Sequence, residues 1–180
     1  MCSGRTEDSE KMDGNANMIP HQLRAFAKLL NQASLGRNKL VLIIGESGSG
    51  KTRFLAALSA AHYLPVLNLG AQLGTKLLAI SPRKRPLAIE ATVQELIEHG
   101  QSGVCIDNTD ILFDQALRCD PIRLAYSVSQ NWVVLYALNG RLEGRRFVRG
   151  YPDHPEYFSE EIPAIPTVFM ERGAPTFYYS

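Results

Sequence analysis

The apolar positions of the chain fall into two alternating patterns. Four short continuous apolar runs are typical of strands that are buried on both faces, as in a parallel sheet. These runs cover 39–44, 64–69, 103–107 and 132–138. Helical spacing between the runs predicts helices over 51–61, 71–80 and 87–99, and Asp120 followed by Pro121 predicts the start of another. Strands that alternate with helices predict an α/β fold, with four or five parallel strands and helices on both faces of the sheet.

The two ends of the chain depart from this alternation. Residues 1–17 are polar and contain no aromatic residue, which predicts a disordered tail. The folded part is expected to be a single domain over 18–180 that opens with a helix. Its last part, 143–180, is rich in Gly, Pro, Arg and aromatic residues and is predicted to be irregular, apart from short strands at 147–149 and 176–179.

A glycine-rich segment connects the first predicted strand to the helix that follows it. Its residues match the Walker A pattern G-x-x-x-x-G-K-[ST] at every position: Gly45, Glu46, Ser47, Gly48, Ser49, Gly50, Lys51 and Thr52. Glycines let successive backbone N–H groups surround a phosphate, and the following helix adds the positive end of its dipole. Lys51 is expected to reach the β- and γ-phosphates, and the Thr52 hydroxyl to bind Mg²⁺. The segment therefore predicts binding of a nucleoside triphosphate with Mg²⁺, with the choice between ATP and GTP left open, and Arg53 either flanks the base or lies on the surface.

Polar residues follow the third and fourth predicted strands. Asp107 ends the third strand, where it is expected to hold Mg²⁺ opposite the phosphate loop or, alternatively, to form a turn. Asn108 follows it. In ATPases of the additional-strand class, which this arrangement resembles, that position commonly carries a glutamate that polarises the attacking water. An amide cannot act as a base, so hydrolysis is expected to be slow unless Asp110, otherwise a helix cap, substitutes. Asn139 ends the fourth strand and is a candidate contact of the γ-phosphate or attacking water, with an Asn-Gly turn as the alternative.

These positions together resemble P-loop NTPases of the additional-strand class, which includes the AAA+ proteins, but the chain leaves no room for a helical lid domain. Four segments also resemble the BrxF family of small P-loop proteins from bacteriophage-exclusion (BREX) defence systems: 45–52, 106–113, 120–124 and 150–157. This resemblance spans about 19 to 157. It implies a cytoplasmic component of a bacterial anti-phage system whose partners are other defence proteins. Whether DNA is contacted is left open, and any such contact is expected to be indirect, through those proteins.

Composition argues against several classes of protein. The chain has 180 residues with 19 basic and 18 acidic side chains, a balance that argues against a surface for polyanions over the whole molecule. Its three cysteines, at positions 2, 105 and 119, are odd in number and widely spaced, which favours a reducing cytoplasm over a disulfide scaffold. No apolar run approaches the roughly 18 residues of a membrane helix, so no membrane association is expected.

Two basic groups stand out from the balanced charge. Residues 83–85 form one, and Arg141, Arg145, Arg146 and Arg149 form the other. The second group either supplies an arginine finger to a neighbouring subunit, binds nucleic-acid phosphates, or is an ion-paired loop.

Three functions are compatible with these features. The first is an ATP-dependent switch or assembly ATPase, with slow or partner-dependent hydrolysis, that acts as a homo-oligomer or with other defence proteins. The second is a small-molecule or nucleotide kinase, which the arginine-rich stretch favours. The third is a non-catalytic nucleotide-binding scaffold, which Asn108 favours. The end of the third strand and Asn139 favour the first.

Overall fold

The structure is a computed structural model that describes residues 20–97 and 103–179. Within these residues the α-helices are α1 (Pro20–Leu35), α2 (Lys51–His62), α3 (Leu69–Leu78), α4 (Arg85–Ile97) and α5 (Pro121–Val128). The strands are β1 (Leu40–Gly45), β2 (Val66–Asn68), β3 (Gly103–Asp107), β4 (Val133–Asn139), β5 (Arg141–Glu143), β6 (Arg146–Arg149), β7 (Phe158–Glu161), β8 (Thr167–Glu171) and β9 (Ala174–Tyr178). Short 3-10 helices occur at Pro82–Lys84, Thr109–Phe113 and Gln115–Leu117. The predicted tail at 1–17 and the end of the predicted helix at 98–99 lie outside the described residues.

Six strands form the main sheet in the order β2-β3-β4-β1-β8-β9. Adjacent strands from β2 to β8 are parallel, and β9 pairs antiparallel with β8 at one edge. The prediction of an α/β fold with a parallel sheet is therefore confirmed. Because β4 lies between β1 and β3, the carboxyl ends of these three strands lie side by side at one edge of the sheet.

The residues of β1 alternate between two apolar cores, one on each face of the main sheet. Leu40, Leu42 and Ile44 belong to one core, together with apolar residues of α3, α4 and α5. Val41 and Ile43 belong to the other, together with residues of α1 and α2. Every residue of β1 is buried, which explains its continuous apolar run and confirms the expected helices on both faces.

Side-chain caps determine where two of the helices begin. Asn68 accepts a hydrogen bond from the N–H three residues later at 3.1 Å, so α3 begins at once and β2 is shorter than the strand predicted over 64–69. Asp120 accepts bonds from two N–H groups in the first turn of α5, at 2.9 and 3.0 Å, as its sequence predicts. Among the described residues, none of the helices has the length and apolar character needed to cross a membrane.

The C-terminal part is more regular than predicted. The expectation that 143–180 is irregular is wrong, because segments of this part pair with one another and with β1 to form strands. β5, β6 and β7 form a second, antiparallel sheet, while β8 and β9 extend the main sheet beyond β1. The two short strands predicted here overlap β6 and β9. Fully buried Phe147 joins the second sheet to the main core, with its ring centroid 6.2 Å from that of Phe113 and 6.1 Å from that of Phe158.

The two cysteines within the described residues are free thiols. Cys105 is fully buried in β3, and burial, with a smaller contribution from the charge of Asp107, raises its pKa to about 12. Cys119 is partly buried, and burial raises its pKa to about 11. Both thiols therefore remain protonated at neutral pH, which makes them poor nucleophiles and poor metal ligands.

Candidate functional site

The glycine-rich segment forms a tight loop between the end of β1 and the start of α2. Gly48 and Gly50 have φ angles of 77° and 94°, in the left-handed region that glycine adopts without strain. At Gly45 a Cβ atom would lie 2.5 Å from the Ser49 Oγ and 2.6 Å from the Met170 carbonyl oxygen, so only glycine fits. Gly45 is therefore packed between the Ser49 side chain and β8.

The side chain of Lys51 folds back over this loop. Its Nζ donates hydrogen bonds to the carbonyl oxygens of Gly45 and Glu46, at 2.7 and 2.8 Å. Burial lowers the pKa of Lys51, and the positive charge of Arg149 acts in the same direction, while Asp107 and other carboxylates oppose them. An anion bound at the loop would supply the charge compensation that the ammonium group now obtains from carbonyl oxygens and more distant carboxylates.

A pocket of about 120 Å³, hereafter the small pocket, lies at the carboxyl ends of β3 and β4 beside the loop. It brings together six of the residues singled out from the sequence: Lys51, Thr52, Asp107, Asn108, Asp110 and Asn139. The predicted metal ligands are Thr52, whose residue is exposed, and Asp107, which is 6 % exposed and accepts a hydrogen bond from the Asn108 N–H at 2.9 Å. The parallel main sheet thus places residues that are far apart in the chain around one small volume.

The oxygen donors of the small pocket suit Mg²⁺ only when a bound ligand supplies further oxygen atoms. The hydroxyl of Thr52 and the carboxylate of Asp107 are hard oxygen donors, the type that Mg²⁺ prefers. Within the described residues, no group of three or more His, Cys, Asp or Glu side chains is placed to hold a metal ion. Mg²⁺ commonly takes one or two protein oxygens and completes its shell with phosphates and water. These residues therefore fit a magnesium ion that arrives with a polyphosphate.

Asn108 has a backbone conformation that explains its residue type. Its φ and ψ angles of 55° and 52° lie in the left-handed region, which asparagine tolerates better than most residues. Asn108 is exposed and lines the small pocket, while the next residue, Thr109, is buried and donates a 2.6 Å hydrogen bond to the Ala137 carbonyl oxygen. The chain therefore turns sharply after β3, and the residue that follows Asp107 presents an amide, not a carboxylate, to the small pocket.

Asn139 and Asp110 contact each other at the edge of the small pocket. Asn139 ends β4 directly opposite Gly45 of β1, and its Nδ2 donates to the Asp110 Oδ1 at 3.4 Å. The alternative role of Asp110 as a helix cap is not realised, because the 3-10 helix begins one residue earlier and Asn108 takes the cap position. Asp110 is instead a second carboxylate of the pocket.

Arg149 is a residue of the site that the motifs do not reveal. It ends β6 in the second sheet, and its side chain is only 14 % exposed. Its Nη1 forms an ion pair with Asp110 and donates to the Asn139 carbonyl oxygen at 3.2 Å, and its Nη2 lies 2.9 Å from the Glu156 Oε2. Its guanidinium carbon lies 4.5 Å from the centre of the Phe113 ring.

The other arginines of this group have different partners, although Arg141 and Arg149 line one depression beside the phosphate loop. Arg141 pairs with Glu143, Arg146 donates to Ser159, and Arg145 is exposed. No sequence motif singles out Arg149, which lies next to the 150–157 segment that supplies Glu156.

A cleft of about 820 Å³, hereafter the wide cleft, lies on the other side of the phosphate loop. Its walls are α1, the first turns of α2 and the turn between β8 and β9, and exposed Arg53 is among its lining residues. The Gly173 N–H of that turn donates to the Ser49 carbonyl oxygen at 3.0 Å, which attaches the β8–β9 hairpin to the phosphate loop. Arg172 and Gly173 between two runs rich in alternating apolar residues are the sequence signal for this hairpin.

A third depression of about 470 Å³, hereafter the side pocket, lies between the phosphate loop and the second sheet. Glu46, Ser47 and Asn139 form its side towards the loop, and Tyr151 and His154 lie at its other side. The basic residues at 83–85 are not part of any of these three depressions. Arg85 instead caps the end of α3, because its Nε donates to two carbonyl oxygens at 3.0 Å each.

The site thus combines an anion-binding loop at a helix N-terminus, an ammonium group, and oxygen donors suited to magnesium. It also has two carboxylates in the small pocket, one of them paired with an arginine. Such an arrangement can bind a polyphosphate and orient a water molecule, but position 108 carries an amide, which cannot accept a proton from that water.

Comparisons of the chain with family models, with curated proteins and with solved structures found no match.

Proposed function

We propose that the protein is a P-loop NTPase of the additional-strand class that binds ATP with Mg²⁺ and hydrolyses it slowly or only with a partner. One observation carries the proposal: the Walker A loop after β1 and Asp107 after β3 meet at the small pocket, while β4 lies between the two strands. A strand inserted between those that carry the phosphate loop and the acidic residue is the feature after which the class is named.

Five residues that line the small pocket have a role in this proposal. Lys51 leaves the loop carbonyls and contacts the β- and γ-phosphates, while backbone N–H groups of the loop bind the phosphate oxygens. Thr52 and Asp107 hold Mg²⁺, which neutralises negative charge on the phosphates when it is bound. Asn139 and Asn108 orient the attacking water. Since neither amide accepts a proton, the intrinsic rate is low.

The wide cleft is the proposed site of the nucleoside. It begins at the phosphate loop and is large enough for a base and a ribose, and both Arg53 and the β8–β9 hairpin line it. The cleft has no helical lid above it within the described residues, so affinity is expected to be modest unless a partner covers the base. None of the described residues of the cleft distinguishes adenine from guanine. The choice of ATP as the nucleotide therefore rests on the family resemblance.

The cellular role rests on the resemblance of four segments to the BrxF family. On that basis we propose a cytoplasmic switch or assembly component of a bacterial anti-phage system, in which nucleotide binding biases association with copies of itself or with other defence proteins. DNA would be contacted through those proteins. Size-exclusion chromatography of the wild type and Lys51→Ala, with and without ATP–Mg²⁺, tests this role. A size that changes with nucleotide only in the wild type is expected, and an unchanged size with no partner gained or lost argues against a switch.

Nucleotide binding itself is tested by the thermal midpoint and by calorimetry. ATP–Mg²⁺ is expected to stabilise the wild type by about 2.7 kcal/mol at a concentration of 100 times Kd. Lys51→Ala is expected to lose this stabilisation. Lys84→Ala is the matched control, since Lys84 is exposed and lies outside the three depressions of the site. Equal stabilisation of Lys51→Ala and the wild type would contradict the proposal.

A kinase is the second candidate, and the side pocket is the observation that favours it. This pocket meets the small pocket at Ser47 and Asn139, so an acceptor bound there would lie next to the γ-phosphate. Incubation with ATP labelled in the γ-phosphate and a panel of nucleosides and small hydroxyl compounds distinguishes the two functions. Label that moves to an acceptor supports the kinase, and label released only as inorganic phosphate supports the ATPase.

A further inference from the structure

We propose that Arg149 binds the γ-phosphate in its own subunit, and that Asp110 is the partner it leaves when ATP replaces ADP. This inference rests on the nucleotide binding proposed above and adds a residue that no Walker motif contains. It also assigns the arginine of the 141–149 group to the site of its own chain rather than to that of a neighbour.

The position of Arg149 supports this assignment. Its Nη1 contacts Asp110 and the carbonyl oxygen of Asn139, and both of these residues line the small pocket together with Lys51. The guanidinium group is therefore one side chain away from the volume in which the γ-phosphate would lie. Arginine suits this role because its planar fork of N–H donors matches the oxygen atoms of a phosphate.

The charges around the small pocket favour an exchange of partners. A γ-phosphate in the small pocket would bring negative charge close to the carboxylate of Asp110, and the two negative charges would repel each other. Asp110 is 49 % exposed, so its carboxylate can turn towards water when the phosphate takes its place beside Arg149. ADP leaves the γ position empty and does not drive the exchange.

The rest of the Arg149 side chain is anchored, so the exchange involves only one end of the guanidinium. Nη2 is held by Glu156, the guanidinium lies over the Phe113 ring, and Nε is buried with no hydrogen-bond partner among the described residues. Glu156 belongs to the 150–157 segment, where its N–H donates to the His154 Nδ1 at 3.1 Å. By holding Nη2, Glu156 would keep Nη1 in place for the γ-phosphate, which gives the 150–157 segment a role in positioning Arg149.

Calorimetric titration of wild type and variants with ATP–Mg²⁺ and ADP–Mg²⁺ tests the proposal. Arg149→Ala and Arg149→Lys are expected to lose about tenfold or more in affinity for ATP, the scale of a charge-assisted hydrogen bond, while the affinity for ADP is unchanged. Asp110→Asn is expected to gain a few-fold in affinity for ATP relative to ADP, because it releases the arginine. That gain cannot arise from a folding defect.

Arg146→Ala is the matched control, since Arg146 lies on the same strand and is exposed, with a 3.3 Å hydrogen bond to Ser159. It is expected to bind both nucleotides as the wild type does. If Arg149→Ala and Arg149→Lys keep the wild-type ratio of ATP to ADP affinity while Lys51→Ala abolishes binding, the proposed role of Arg149 is overturned and the nucleotide site stands. If Lys51→Ala binds normally, the nucleotide site fails and the inference fails with it.

A mixing experiment distinguishes action in the same subunit from action on a neighbour. Arg149→Ala is titrated with ATP in the presence of excess Lys51→Ala, whose own phosphate loop is defective but whose Arg149 is intact. Affinity for ATP is expected to stay low. Recovery of the wild-type affinity would overturn the assignment to the same subunit, because it would show that the arginine is supplied by another chain.

Discussion

β1 and β6 both end at the candidate site, but they are built in different ways. Every residue of β1 is buried and the strand is paired on both sides, so its apolar run alone predicts its structure. β6 has only two buried residues and lies in a three-stranded sheet that packs on the main core through a few apolar side chains, with fully buried Phe147 among them. One half of the site is thus specified locally, and the other half depends on a few contacts between distant segments.

The largest expected effect is that of removing the aromatic attachment. Phe147→Ala is expected to cost about 3–5 kcal/mol in the free energy of unfolding, because it opens a cavity among Phe113, Phe158 and the main core. Tyr151→Ala is the control, an aromatic residue of the same region that is 74 % exposed and is expected to cost about 0.5 kcal/mol or less. Urea unfolding measures both. A loss below about 1 kcal/mol for Phe147→Ala would show that the second sheet does not share the main core.

The next effect concerns the locally specified half. Gly45→Ala is expected to cost about 1–3 kcal/mol and to abolish stabilisation by ATP, because the new Cβ would overlap Ser49 and the Met170 carbonyl. Gly74→Ala is the control, since its Cβ would lie 3.7 Å from the nearest atom and alanine favours the helix by about 0.5–1 kcal/mol. Thermal unfolding with and without ATP–Mg²⁺ gives both quantities. Normal ATP binding by Gly45→Ala would refute the close packing of the loop on β8.

A smaller effect on stability, with a gain in activity, is expected at Asn108. Asn108→Glu is expected to lose about 1–2 kcal/mol, because glutamate tolerates the left-handed backbone poorly. Its ATP turnover is expected to rise by about tenfold or more, since a carboxylate can accept the proton of the attacking water. Asn108→Gly, which accepts the backbone but has no carboxylate, is the control. Unchanged turnover in Asn108→Glu would refute the idea that the missing carboxylate limits the rate.

The smallest expected effect is a pH dependence of stability due to Lys51. Burial lowers the pKa of Lys51 in the folded protein below the value in the unfolded chain, so the unfolded state binds more protons between the two values. The stability of the wild type relative to Lys51→Met is therefore expected to increase as the pH rises through that interval. Urea unfolding at several alkaline pH values measures this difference. A decrease in relative stability over the same interval would contradict the buried position of the ammonium group.

Much of the fold follows from local pattern, and the exceptions have physical causes. The bounds of the strand that leads into the phosphate loop and of the strand that ends at Asp107 are predicted within about one residue, because both strands are buried and continuous in apolar character. β2 ends early, because the side chain of Asn68 caps α3. β8 escapes prediction, because its position next to β1 depends on a pairing between residues more than 100 positions apart in the chain.

The candidate site divides in the same way. The loop, Lys51 and Asp107 can be named from spacing, because a phosphate loop needs particular residue types at fixed positions. Arg149 cannot be chosen from the four arginines of its group, because its partner Asp110 lies 39 residues away and its selection depends on the register of β6. The hairpin that borders the wide cleft is still farther along the chain from the loop that it contacts, since Gly173 donates to Ser49.

The sequence by itself determined the alternation of buried strands and helices, the anion-binding loop and the acidic end of β3. These features depend on residues adjacent in the chain or on a periodicity, so local chemistry suffices for them. The tertiary structure alone decided the strand order, which places β4 between the loop and Asp107, and the pairing that brings Arg149 to the small pocket. The reason is that strand order and side-chain pairing depend on which distant surfaces pack together, and similar local patterns are compatible with several such arrangements.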